Sequence, residues 1–64
     1  MPTFALREAR EPYRRIARVD TNVDPEDDEA CVALLRRLAV QYRRKPGDVI
    51  LRWTGGRRVR EYHV

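Results

Sequence analysis

Arginine is the residue type from which this sequence could build a site. Thirteen of the 14 basic residues are arginine, Lys45 is the only lysine, and 10 acidic residues leave a formal charge of +4. A guanidinium carries a flat fork of donors that matches the oxygens of a phosphate or carboxylate, which a lysine ammonium does not. On a strand, residues two apart share a face, so arginines at such spacing would stand together. Arginine richness also arises from genome composition alone. No basic tail stands apart from the rest of the chain, so the sign of the charge identifies no partner by itself.

Other chemistries find little material. There is no serine, so a serine nucleophile is excluded. His63 is the only histidine, next to the last residue, and Cys31 is the only cysteine. No Cys/His set has zinc-ligand spacing, and Gly47, Gly55 and Gly56 cannot form a phosphate loop. Asp20, Asn22 and Asp24 match the first three ligand positions of a calcium loop of the EF-hand type. Pro25 then stands where glycine is required and Cys31 where the bidentate glutamate is required. Residues 26–29 (Glu-Asp-Asp-Glu) read as the acidic start of a helix, not as paired carboxylates for acid–base work. The expectation is a protein that is not an enzyme, with no metal, no cofactor and no evident small-molecule substrate.

The elements that must position the arginines centre on one helix, expected over residues 25–45. Asp24 is a suitable N-cap, Pro25 suits the first helical position, and acidic residues follow. Arg43, Arg44 and Lys45 suit the last turn, and Pro46-Gly47 ends it. At 100° per residue, Cys31, Leu34, Leu35, Leu38 and Tyr42 form one arc, flanked by Val32 and Ala39. Arg36 and Arg37 fall opposite. Ala33 and Val40 interrupt that polar side, as two tolerated apolar residues or as a small helix–helix contact.

Residues 3–10 and 13–20 read as a hairpin turning at Glu11-Pro12. A register with Arg10 opposite Tyr13 sets Leu6 opposite Ala17, Phe4 opposite Val19 and Glu8 opposite Arg15, with the apolar set on one side. Residues 49–53 and 57–63 flank Thr54-Gly55-Gly56. A three-residue loop with a left-handed Gly56 sets Leu51 opposite Val59 and Trp53 opposite Arg57. The expected fold is therefore α+β: a two-layer ββαββ arrangement, an antiparallel sheet with one amphipathic helix on one face. A βαββ form with an irregular or helical N-terminus is the alternative. The 64 residues suit one domain, with no repeat or low-complexity segment.

In that arrangement the sheet face away from the helix carries Arg7, Arg14, Arg18, Arg52, Arg58 and Arg60, with Ile16, Ile50 and Tyr62 among them. Arg52 would lie opposite Arg58. The expected nucleic-acid-binding residues are Arg14, Arg18, Arg52, Arg58, Arg60 and Tyr62: guanidiniums for phosphates, the phenol to stack a base. The competing reading is a solvated face whose arginine stems cover the aliphatics. A protein partner, or a second copy in a homodimer, is the alternative function, because a chain this short buries only about 60% of its unfolded surface. No apolar run is long enough to span a bilayer, and no signal-peptide pattern follows Met1-Pro2. A single cysteine placed mid-stripe fits a reducing compartment, so the expected location is cytoplasmic.

Overall fold

In the computed structural model, which describes residues 1–64, strands β1 (Thr3–Glu8) and β2 (Arg15–Asp20) form an antiparallel hairpin. Helix α1 (Asp28–Gln41) follows, then a 3-10 turn (Pro46–Asp48) and strands β3 (Val49–Trp53) and β4 (Arg60–Tyr62). The fold is the ββαββ sandwich, with four antiparallel strands in the order β2-β1-β3-β4 and the helix on one face. The two hairpins therefore meet in the middle of the sheet, where β1 pairs with β3 from Phe4↔Trp53 to Glu8↔Val49. No helix is long and apolar enough to cross a membrane.

The core lies between the helix and the inner sheet face. Alternation along β1 sends Phe4 and Leu6 inward, joined by Leu51 and Val49 from β3 and Tyr62 from β4. The helix answers with Cys31, Leu34, Leu35, Leu38 and Ala39, and Leu35 and Leu51 are both fully buried. Tyr42, expected at the end of that arc, is instead 36% exposed, because the helix has already ended.

Helix α1 is shorter than the expected span at both ends. Its N-cap is Asp27, whose carboxylate accepts from the backbone N–H of Ala30. Asp24 closes the preceding turn instead, accepting from the N–H of Glu26 at 2.9 Å. At the other end Arg43, Arg44 and Lys45 lie past the last turn. Arg43 takes a left-handed conformation, φ 56°. Arg44 N–H bonds back to Ala39 O and Arg43 N–H to Val40 O. This is a Schellman closure with arginine at the position that usually holds glycine.

The N-terminal hairpin keeps part of the expected register, with Phe4↔Val19 and Leu6↔Ala17. A bulge between Leu6 and Arg7 then changes it: Arg15 pairs with Arg7, not with Glu8. The C-terminal hairpin departs further. Leu51 pairs with Tyr62 and Trp53 with Arg60, three residues along from the expected partners Val59 and Arg57. An odd slip turns every side chain of β4 over. Tyr62 becomes a core residue, 5% exposed, and Val59 is left 61% exposed in the connection. Gly55 and Gly56 do not have positive φ. Their role is close approach: a Cβ on Gly55 would lie 2.6 Å from Nε1 of Trp53, and one on Gly56 3.0 Å from Cη2.

Candidate functional site

The sheet face away from the helix is built in rows. β1 places Thr3, Ala5 and Arg7 on it. Across the first row Thr3 meets Asp20 of β2. Across the second, Ala5 stands between Arg18 of β2 and Arg52 of β3, and Arg52 in turn meets Glu61 of β4. Across the third, Arg7 stands between Arg15 of β2 and Ile50 of β3. Ile50 is only 4% exposed although it lies outside the helix-side core cluster, so long neighbouring side chains must lie over it.

Four arginines, Arg7, Arg15, Arg18 and Arg52, line one groove of about 240 Å³, together with Thr3, Phe4, Ala5 and Thr54. The bulge is what brings Arg15 in, at the place opposite Arg7 that an unbroken register would have given to Ile16, which packs against the core instead. Each arginine has a different tether. Arg7 Nη1 donates to the carbonyl of Tyr13 at 2.9 Å, whereas its Nε is buried and bonded to nothing. Arg52 Nε donates to Glu61 Oε2 at 2.8 Å, and its Nη2 reaches the same oxygen. Arg18 Nε stands 3.5 Å from Asp20 Oδ1. Arg15 pairs with no carboxylate. The hydroxyl of Thr3, 2.6 Å from Asp20, holds that carboxyl below its usual range, with Arg18 adding to the effect.

Of the six residues expected to bind, Arg18 and Arg52 are brought together in this groove. Arg14 is exposed beside it, and its carbonyl accepts from Glu8 N–H across the hairpin end. Arg58 does not oppose Arg52; Glu61 does, so the expected pair of like charges is an ion pair. Arg58 lies in the β3–β4 connection, where it lines a separate cleft of about 380 Å³ with Arg57, Arg60, Trp53 and Glu26. Arg60 faces the helix side, 3.9 Å from Glu26. Tyr62 is withdrawn from any stacking role. Its hydroxyl donates to the carbonyl of Pro25, its ring packs edge-on against Phe4 with centroids 6.3 Å apart, and burial pushes its phenol up to about 12.

Arg15 is the groove residue that sequence reasoning missed, since nothing in the alternation of residues 13–20 marks a bulge. Trp53 is half-buried, packed against the core on the helix side, and borders the cleft of Arg57, Arg58 and Arg60. Elsewhere, Cys31 is buried and its S–H donates to the Asp24 carbonyl at 3.3 Å. Desolvation raises its pKa, so the thiol is held neutral. A cleft beyond the helix C-terminus mixes signs, with Arg10, Arg43, Arg44 and Lys45 against Glu8 and Asp48. On the helix surface Val40 is 77% exposed and Ala33 is exposed one heptad before it. Comparison with known proteins finds no matching family model, no similar curated protein and no similar solved structure.

Proposed function

We propose that this protein is a small, non-catalytic binding module for nucleic acid, gripping the phosphate backbone with the outer face of its sheet. The observation that carries the reading is that arginines from three adjacent strands, Arg7, Arg15, Arg18 and Arg52, open onto one groove. With Tyr62 in the core, this face offers charge and hydroxyl groups but no ring for a base. Phosphate contacts set position and affinity and carry little sequence information. Binding is therefore expected to be weakly sequence-dependent and strongly salt-dependent, because each neutralised phosphate releases counterions. The buried free thiol of Cys31 suits a reducing location, the cytoplasm.

The test is fluorescence anisotropy with short labelled DNA and RNA, single-stranded and duplex, from low to physiological salt. Arg15→Glu and Arg52→Glu should each weaken binding and lower the salt slope by about one or more. Arg36→Glu, on the helix, should change both much less. Absence of binding at low salt, or equal losses from all three variants, would reject the reading. The alternative is association with a protein or a second copy through the helix, favoured by the exposure of Val40. Light scattering with Val40→Asp tests it, and an oligomer unchanged by that substitution rules the surface out.

A further inference from the structure

We propose that the outer sheet face holds one discrete phosphate subsite, a notch over Ala5 closed by the guanidiniums of Arg7, Arg15, Arg18 and Arg52. The inference rests on the preceding reading of this face and adds a specified place and ligand chemistry to it. Three observations carry it. First, Ala5 is the smallest residue of its row and stands between two arginines, with Arg18 on one side and Arg52 on the other. The space above its methyl group belongs to the groove that all four arginines line. Second, Arg7 and Arg15 are set directly opposite each other by the bulge, and like charges so placed repel. An oxyanion between them turns that repulsion into two charge-assisted contacts.

Third, the Nε–H of Arg7 is excluded from water and has no acceptor, although Nη1 of the same side chain is held by the Tyr13 carbonyl. An unsatisfied buried donor on a charged group calls for a missing partner. A phosphate oxygen reaching into the notch supplies one after a small shift of the guanidinium. The carboxylates of this face stand at its perimeter: Glu61 holds Arg52 from outside and Asp20 approaches Arg18 from outside. They orient the two arginines without filling the notch. The ligand is a phosphate group, either free or as one phosphodiester of a nucleic-acid strand.

The experiment titrates inorganic phosphate into the full chain at constant ionic strength, with chloride as the reference. Binding is followed through the arginine Nε–H resonances and the melting temperature. Saturable shifts confined to the four groove arginines, and a higher melting temperature, are expected. Ala5→Leu keeps every charge and fills the notch; it should weaken phosphate binding roughly tenfold or more, the scale of one charge-assisted hydrogen bond. Ala5→Val provides the same test with a strand-favouring residue if the leucine variant is poorly folded. Arg7→Lys keeps the charge but loses the fork and should weaken binding comparably. Linear, unsaturable shifts at all arginines, or binding indifferent to Ala5→Leu and Ala5→Val, would overturn the subsite.

Labelled oligonucleotide measured in parallel separates the two levels. Oligonucleotide and phosphate binding both unaffected by filling the notch would overturn the subsite and leave the face reading standing. Saturable phosphate binding without oligonucleotide binding supports the subsite, assigns it to a free phosphate, and removes the nucleic-acid reading.

Discussion

Residues 9–14 and residues 54–59 both return the chain antiparallel to itself, by different means. The first connection is held by backbone hydrogen bonds: Glu8 N–H to Arg14 O, Ala9 N–H to Asp48 O, and Tyr13 N–H to Arg10 O. It contains no glycine, and yet Tyr13 takes a left-handed conformation, φ 57°. The second connection contains two glycines, neither left-handed, and no backbone hydrogen bond of its own. Its backbone lies instead against the indole of Trp53. Glycine here marks a place where a ring needs room, and the residue that bends the wrong way for an L-amino acid is a tyrosine. A reversal held by the backbone tolerates exchange of side chains; one held by an aromatic ring depends on what its neighbours lack.

The largest effect that tests this contrast is Trp53→Ala, which should cost about 3 kcal/mol in chemical denaturation, the low end of the range for a buried aromatic because Trp53 is only half-buried. Trypsin should then cut faster after Arg57 and Arg58, while cleavage after Arg10 changes little. Equal acceleration at both connections would break the comparison. Next, Gly55→Ala should cost about 1–2 kcal/mol, since the new methyl meets a ring that is itself packed. Gly47→Ala is the control: nothing lies within 4 Å of its added Cβ, so it should be neutral or slightly stabilising.

Tyr62→Phe should cost about 1 kcal/mol by removing the hydrogen bond to Pro25. It carries a pH signature as well. The folded phenol titrates at about 12 against 10.0 for the free group, so its contribution is complete below pH 10 and is lost as pH rises through 12. The wild-type chain should lose stability over that window, and the phenylalanine variant should show a flatter profile. The smallest expected effect is Tyr13→Gly, a gain of roughly 0.5 kcal/mol, the left-handed penalty less the greater entropy that glycine loses on folding. A loss of stability there would mean that the exposed Tyr13 ring matters more than its backbone.

Legibility followed the same division. Periodicity located the helix and its buried side, from Cys31 through Leu38, because four apolar residues at helical spacing leave one way to pack. It also located the pairing of Phe4 with Val19 and Leu6 with Ala17. The helix ends were blurred because Asp24 and Asp27 are both able to cap, and the choice between them depends on burying Pro25 beneath Tyr62. The second hairpin was misread because a three-residue Thr54-Gly55-Gly56 loop placed Val59 beside Leu51 and Trp53 on the core face, whereas Leu51 pairs with Tyr62. Burying the larger tyrosine, with a partner for its hydroxyl, favours the slipped register. That slip moved Tyr62, Arg58 and Arg60 off the candidate face. The bulge set Arg15 opposite Arg7 where an unbroken register would have set Ile16, and no local alternation encodes a bulge.

The sheet order has a consequence for how the chain reaches this state. Each hairpin and the helix can form from neighbouring residues, but the central ladder joins β1 near the start of the sequence to β3 near its end. Closing so long a span costs chain entropy before any of its contacts return it. The meeting of the two hairpins is thus expected to be the slow event of folding, and the helix, which packs on strands from both, is the element that shortens the search. Until they meet, β1 and β3 each present an unpaired edge carrying the most apolar residues of the chain, Phe4 and Leu6 on one and Val49, Ile50 and Leu51 on the other. The partly folded chain is most open to sticking to its own copies during that interval.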